Sequence, residues 1–143
     1  MYVEKIFTDN EKIMQVAKLH WVNSIAPVVC FVFGLLSIVF GVGLLFIIFA
    51  IYFYFRNKTT EMVVTNKRVI NKVGIISVHL GELRNIKVES VRLHQGIFGR
   101  ILGYGNIEFT GTGTTAVVFK NVAEPAQTMS RIKDVIDKTK NEI

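Results

Sequence analysis

The feature that most constrains this chain is a run of 35 uncharged residues from Trp21 to Phe55, rich in Ile, Val, Leu and Phe. A helix in the core of a water-soluble domain rarely continues beyond about 20 residues without a charge, whereas a membrane span needs about 17–25 apolar residues. The run starts too far into the chain, and is too long, for the apolar part of a cleaved signal peptide. It therefore predicts a segment embedded in a membrane.

The length of this run favours two short helices over one long helix. A single helix of 35 residues would measure about 52 Å, whereas the hydrocarbon core of a bilayer is about 30 Å thick. Residues 40–43 (FGVG) supply glycines for a turn between two arms. Basic residues flank both ends, as expected when both ends are cytoplasmic. We therefore favour a transmembrane hairpin over residues 21–55 to a single tilted span. The residues expected to lie at the membrane interface are His20, Trp21, Tyr52, Tyr54 and Arg56.

The excess positive charge lies in one part of the chain. The net charge is +6; residues 1–20 and 124–143 are each neutral, and residues 56–123 contain ten basic and four acidic residues. Basic residues beside a membrane are attracted to anionic lipids by about 1 kcal/mol each, although such a charge excess also arises from orientation and solvation alone. No motif for nucleic-acid binding accompanies the charge, so we expect no nucleic-acid partner. The candidate contacts with anionic lipid or a partner are Lys58, Lys67, Arg68, Lys72 and Arg100.

Residues 56–123 have the pattern of several short strands. The runs TEMVVT (residues 60–65) and RVINKV (residues 68–73) flank the two-residue turn Asn66–Lys67. After Pro125, apolar residues recur at helical spacing. These patterns predict an α+β fold in which a C-terminal helix closes a small barrel or bent sheet. The other β-rich runs are 75–80, 86–93, 106–110 and 114–120, with a glycine-rich connection over 96–105.

Residues 1–20 leave two structures open. Thr8 to Glu11 has the capping-box pattern that favours a helix from about residue 9. Lys12 to Trp21 is equally compatible with a strand that pairs with the β-rich segment.

No set of residues in the chain indicates catalysis. His79 and His94 have no Cys or His partner at metal-ligand spacing, and the only thiol, Cys30, lies in the apolar run. The glycines of residues 99–105 lack the GxxxxGK[ST] pattern of a phosphate loop. We therefore predict a protein that is not an enzyme and has no metal site, cofactor or small-molecule substrate.

Several motifs together resemble a known family. They are YVEK (2–5), NEKI (10–13), KLHW (18–21), VTNKRVI (64–70), VESV (88–91), GRILGYG (99–105) and GTG (111–113), with Pro27 and Pro125. This order resembles the bacterial pleckstrin-homology-like (PH-like) membrane proteins of the YdbS-like group. The resemblance implies two transmembrane helices, a cytoplasmic PH-like barrel and an N-terminal segment extended beside that barrel. It therefore favours the strand interpretation of residues 12–21.

These observations predict three segments and leave two functions open. The segments are residues 1–20, packed on the PH-like domain; residues 21–55, the transmembrane hairpin; and residues 56–143, the PH-like domain with its C-terminal helix. We expect a multi-pass protein of the bacterial inner membrane, with both termini and the PH-like domain in the cytoplasm. The favoured function is a membrane-anchored interaction module that presents its barrel to protein partners or to a second copy of itself. The alternative is a sensor of anionic lipid headgroups that binds through residues 56–123.

Overall fold

The computed structural model describes residues 2–112 and 117–142, which form two antiparallel sheets and four α-helices. The strands are β1 (Ile13–Val16), β2 (Glu61–Thr65), β3 (Arg68–Val73), β4 (His79–Arg84), β5 (Val88–His94), β6 (Tyr104–Gly111) and β7 (Val117–Ala123). The helices are α1 (Ile25–Leu36), α2 (Gly43–Thr59), α3 (Ile97–Leu102) and α4 (Pro125–Asn141). The strand order is β1-β2-β3-β4 in the first sheet and β5-β6-β7 in the second. The predicted strand over residues 114–120 and the predicted GTG turn lie partly outside the described residues.

The segment after β1 joins the two sheets. Leu19 forms an isolated antiparallel bridge with Val122 of β7. The His20 backbone N–H donates to the Asn121 carbonyl at 2.7 Å. One continuous segment thus pairs with β2 in the first sheet and then with β7 in the second, which closes the barrel along this side.

The core lies between the two sheets and α4. Phe109 and Phe119 meet edge to face, with ring centroids 5.0 Å apart, and both are fully buried. Ile132 and Ile136 from α4 lie in the same cluster. These two residues belong to the apolar face that the helical spacing after Pro125 predicted, so the C-terminal helix and its packing face are confirmed.

The outer face of the first sheet is covered by the N-terminal segment. Val63 and Ile70 are paired across β2 and β3, and they form a small cluster with Val3, which belongs to a 3-10 turn over Val3–Ile6. All three side chains are fully buried. Farther along, β1 pairs with β2, so the strand interpretation of this segment is correct for Ile13–Val16.

Helices α1 and α2 form a hairpin between β1 and β2. They are joined by residues 37–42, which contain a 3-10 turn and Gly41 in the left-handed conformation at φ 72°. The arms approach closely where Gly34 faces Gly43. A methyl group on Gly43 would collide with the Gly34 carbonyl oxygen, so this contact requires glycine.

The hairpin predicted from the uncharged run exists, but its predicted passage across a membrane is wrong. Helix α1 has 12 residues and α2 has 17, which correspond to about 18 Å and about 26 Å. No helix in the described residues is long and apolar enough to cross a bilayer. The turn at residues 37–42 divides the run into arms that are too short. The predicted fold class is therefore wrong in its transmembrane part. The predicted localisation, a multi-pass protein of the inner membrane with both termini and the barrel in the cytoplasm, is not supported either. The division at residues 20/21 and 55/56 stays a prediction.

Candidate functional site

Three of the predicted contact residues lie on the first sheet and hold neighbouring segments in place. Lys67, in the β2–β3 turn, donates from Nζ to the Asp9 carbonyl at 2.7 Å. Lys72, on β3, is buried and donates from Nζ to the Thr59 carbonyl at 3.1 Å. Lys67 therefore fastens the N-terminal segment, and Lys72 fastens the end of α2.

Arg68 forms the centre of a buried ion-pair cluster. Its Nε and Nη2 donate to the two carboxylate oxygens of Glu11 at 3.0 and 3.2 Å, and Nη1 donates to Glu82 at 2.8 Å. Nη2 also donates to the Ile6 carbonyl at 2.8 Å. The Glu11 side chain is fully buried and the Arg68 side chain is 17% exposed. We call Glu11, Arg68 and Glu82 the N-terminal clamp, because they tie the first residues of the chain to β3 and β4.

The clamp favours the charged forms of Glu11 and Arg68. Burial alone would raise the pKa of Glu11, but hydrogen bonds from Arg68, Thr65 and Thr8 outweigh it and lower that pKa from 4.5 to about 2. Burial would lower the pKa of Arg68, but Glu11 and Glu82 raise it. The pair is therefore ionised at neutral pH. Arg68 already has carboxylate partners inside the protein, and its role as an external contact stays a prediction.

The residues predicted to lie at a membrane interface occupy the base of the hairpin and the α2 arm. Trp21 is 60% exposed, and its ring centroid lies 5.4 Å from that of His20. On α2, the Lys58 ammonium lies 4.8 Å from the centre of the Tyr54 ring. Tyr52 is also exposed, two residues before Tyr54. Arg56, Lys58 and most of these aromatic side chains thus gather where the hairpin meets the barrel.

The rest of the hairpin exposes an unusual amount of apolar surface. At its tip, Val39 is 87% exposed and Phe40 is 82% exposed. Exposed apolar patches of this kind often mark surfaces that bind another protein or a membrane. The exposed large apolar side chains of the two arms include Val28, Val29, Phe31, Val32, Phe33, Leu35 and Leu36 on α1 and Leu44, Leu45, Phe46, Ile48, Phe49, Ile51 and Phe55 on α2.

Arg100 stands apart from the other predicted contacts. It lies on α3, in the connection between β5 and β6 of the second sheet, whereas Lys67, Arg68 and Lys72 lie in the first sheet. Its neighbours Ile97, Phe98 and Ile101 are exposed. The structure therefore does not gather the five predicted basic contacts on one sheet.

A cavity of about 550 Å³, lined by both polar and apolar side chains, lies between the base of the hairpin and the barrel. The sequence predictions included only one of its polar residues, Arg56. The remaining residues carry no local signal, because they come from α2 and the residue after it, from β3, from β7 and from the segment before α1. The polar lining consists of Asn23, Arg56, Asn57, Thr60, Asn71, Lys120 and Asn121.

An asparagine network forms one wall of this cavity. The Asn23 side chain donates to Asn57 Oδ1 at 2.5 Å, and Asn57 donates back to the Asn23 carbonyl at 2.7 Å. Asn121 donates to Asn23 Oδ1 at 2.8 Å. The network therefore joins the two ends of the hairpin to each other and to β7.

A β-bulge directs two consecutive residues of β7 into the cavity wall. Gly105 pairs with Val122 and Ile107 pairs with Phe119, so Lys120 and Asn121 together oppose the single residue between Gly105 and Ile107. In a regular strand, neighbouring side chains point to opposite faces. The bulge, at which Asn121 adopts φ 53°, removes that alternation. Lys120 and Asn121 consequently both line the cavity.

The charged side chains that line the cavity are positive. Within the described residues, the side chains of Arg56 and Lys120 have no hydrogen-bond or ion-pair partner, and the lining contains no carboxylate. Asn71 donates to the Val118 carbonyl at 2.8 Å, whereas its Oδ1 is buried and has no partner there. The cavity thus carries two positive side chains, Arg56 and Lys120, both of which are exposed to solvent, whereas the Asn71 Oδ1 atom is closed off from it.

Two sheets that pack with a C-terminal helix, with β1 in the first sheet and the segment after it bridged to the second, give the architecture that the resemblance implied for the barrel. The family model of the bacterial PH domain matches residues 12–136. The chain belongs to the bacterial PH domain family. The match includes the hairpin and most of α4 as well as the barrel. PH-like domains generally bind proteins or lipids and are not catalytic. No curated protein and no solved structure gave a match.

Proposed function

We propose that this bacterial PH domain is a non-catalytic interaction module that docks through its helical hairpin onto a protein partner, the first candidate being a second copy of the chain. The observation that carries the proposal is the apolar surface of the two arms, on which side chains such as Phe33 and Phe49 are about half exposed. Covering one large apolar side chain contributes about 1.5–3 kcal/mol. A partner that covers several of them therefore supplies the affinity of a stable complex.

The barrel provides a rigid base for this docking element. Among the described residues, the N-terminal clamp and the main hydrophobic core include no residue of the arms. The asparagine network fixes the base of the hairpin to β7. A partner bound to the arms therefore has a defined orientation relative to the barrel. This supports a role in presenting the barrel at a particular place.

Contact with anionic lipid headgroups is the second candidate function. The specific observation in its favour is the arrangement at the hairpin base, where Arg56, Lys58, Trp21 and Tyr54 border the apolar arms. A lipid surface presents the same sequence of layers, with charged headgroups outside and hydrocarbon beneath. We also propose membership of the YdbS-like group within the family, on the motifs at residues 65–68 and 99–105.

The mass of the full chain in mild detergent tests the protein-docking proposal. Light scattering coupled to size-exclusion chromatography should give a dimer or larger species for the wild type. Phe33→Ser and Phe49→Ser should each shift it toward the monomer. Phe98→Ser on α3 is the matched control, since Phe98 is also exposed but lies outside the hairpin. It should leave the mass unchanged.

Flotation of the full chain with neutral and anionic vesicles separates the two candidates. A monomer that floats only with anionic vesicles, and is released by salt, would favour lipid contact, because the screening length falls from about 10 Å at 0.1 M to about 3 Å at 1 M. A monomer that stays at the bottom in every condition and captures no protein through its hairpin would contradict both.

A further inference from the structure

We propose that His20 is a pH switch at the junction between the barrel and the hairpin, closed while its ring is neutral and opened by acid. The His20 backbone N–H donates to the Asn121 carbonyl of β7, and α1 begins at Ile25. The side chain therefore lies where the direction of the hairpin relative to the barrel is set. The switch concerns this junction alone, and it does not depend on what covers the arms.

The hydrogen bond of the imidazole ring defines the closed state. Its Nδ1 accepts from the Val22 backbone N–H at 3.2 Å and thereby caps the 3-10 turn Trp21–Ser24, which leads into α1. A backbone N–H can only donate, so Nδ1 is unprotonated here and the neutral ring has its proton on Nε2. Histidine is the side chain that ordinarily changes its charge between about pH 5 and pH 8. A second proton, on Nδ1, leaves the Val22 N–H without its acceptor.

The packing around the ring prevents a simple rearrangement. His20 is only 9% exposed, and its ring centroid lies 5.4 Å from the centroids of both Trp21 and Tyr104. Rotation of the ring within this site does not restore the cap, because both nitrogens of a charged imidazole are donors. Protonation is therefore accommodated by movement of the turn itself.

The charged groups near the ring offer no negative partner among the described residues of the adjoining pocket. This pocket, of about 240 Å³, presents Lys58 and Tyr54 from α2, and its lining contains no carboxylate. Lys18, earlier on the same segment, and Glu124, which follows β7, are both exposed, and neither belongs to the lining. A positive charge at the start of a helical segment also opposes the helix dipole. Acid therefore favours the open junction.

The turn that His20 caps also carries the asparagine network. Asn23 lies in this turn, and its side chain and carbonyl are bonded to Asn57 and Asn121. Loss of the cap loosens the turn at the point where α2 and β7 are attached to it. The hairpin is then fixed to the barrel at neutral pH and free to change its direction in acid.

Nitrogen NMR and hydrogen exchange of the full chain in mild detergent test this switch. At about pH 8, Nδ1 of His20 should be the unprotonated ring nitrogen. Protection of the Val22 amide, measured relative to the intrinsic exchange rate at each pH, should fall about five- to tenfold between about pH 8 and pH 5, because a cap hydrogen bond is lost. Emission of Trp21, the only tryptophan, should change over the same range, since its ring lies beside His20.

One substitution removes the titrating group but keeps the cap. His20→Asn offers Oδ1 to the Val22 amide and does not titrate, and asparagine is a favoured N-cap residue. Its Val22 protection and Trp21 emission should be the same at both pH values. His79→Asn and His94→Asn are the matched controls, because they replace the other two histidines, and both should behave like the wild type. Circular dichroism confirms that each variant is folded.

The wild type alone can overturn the proposal. A proton on Nδ1 at about pH 8, or Val22 protection that stays constant down to about pH 5, contradicts it whether or not the variants fold. An equal loss of protection in His20→Asn assigns the titration to another group and also overturns it. A loss in the wild type and both controls, but not in His20→Asn, supports it. Self-association at neutral pH should be the same in His20→Asn and the wild type, so failure of one proposal leaves the other standing.

Discussion

The barrel and the hairpin differ in which side chains they bury and which they expose. The barrel buries charged groups: the Glu11 carboxylate is fully covered and is paired with Arg68. The hairpin exposes apolar groups such as Phe33 and Phe40. The buried charges are stable in the barrel because every member of the clamp has a partner of opposite charge within the chain. No second layer of the described residues covers these side chains, and the docking that we propose would cover them.

The largest expected effect on stability comes from disrupting the N-terminal clamp of the barrel. Arg68→Met removes the cation from the clamp and leaves the Glu11 carboxylate buried without a counter-charge. Removing one partner of a buried ion pair typically costs about 3–5 kcal/mol. We expect a loss of this size in the free energy of unfolding, measured by urea denaturation.

The double variant Glu11→Gln/Arg68→Met sharpens this test. It removes the charge of both members, so no uncompensated ion stays buried, and it should recover a substantial part of the lost stability. If the single and double variants are equally unstable, the effect comes from lost packing and not from an unpaired charge.

Acid should weaken the barrel through the same clamp. The pKa of Glu11 is about 2 in the folded state and 4.5 as its ordinary value, so its ionised form favours folding. This contribution is fully present above about pH 4.5 and is lost as the pH falls toward 2. It amounts to on the order of 3 kcal/mol, since one pKa unit corresponds to about 1.36 kcal/mol.

Urea midpoints measured between pH 2 and pH 6 check this window. Glu11→Gln should have a flatter pH dependence than the wild type over this range, because its side chain no longer titrates. Parallel curves for the two proteins would show that other carboxylates cause the acid sensitivity.

An intermediate effect is expected when the hairpin itself is disturbed. Gly43→Ala places a methyl group 2.7 Å from the Ile38 nitrogen, and overpacking of this kind costs about 1–3 kcal/mol. Hydrogen exchange should show faster exchange in α1 and α2, with little change in β2, β3, β6 and β7. Gly96→Ala is the matched control, because nothing lies within 4 Å of a methyl group there. Equal acceleration in the sheets would mean that hairpin and barrel unfold as one unit.

The smallest expected effect concerns a contact on the exposed surface of the hairpin. Lys58→Met removes the cation above the Tyr54 ring, a contact worth about 0.5–1 kcal/mol at an exposed site. We expect a decrease of that size or less in the free energy of unfolding. A double-mutant cycle with Tyr54→Leu measures the coupling, and a coupling near zero would show that the two side chains act independently.

The sequence predicted the elements that depend on local patterns. The TEMVVT and RVINKV runs correspond to β2 and β3, and the apolar spacing after Pro125 corresponds to α4. The candidate site depends on distant pairings. Arg68 and Glu11 are 57 positions apart, and Asn121 and Asn23 are 98 positions apart. No spacing rule connects such residues. The break between the helices was expected near residues 40–43 and lies at residues 37–42. The membrane-span prediction failed because the absence of charge over 35 residues does not fix the length of the helices on either side, which are 12 and 17 residues long.

The asparagine pair at the hairpin base also has a consequence for how the chain folds. Asn23 and Asn57 are 34 positions apart in sequence, yet they are hydrogen bonded to each other. Closing a long flexible loop costs conformational entropy that grows with its length. A folded hairpin replaces that loop with a short junction, so β1 and β2 can pair at the entropic cost of a tight turn. We therefore expect the arms to form before β1 joins the first sheet, which makes the hairpin a determinant of the folding rate of a barrel to which it contributes no strand.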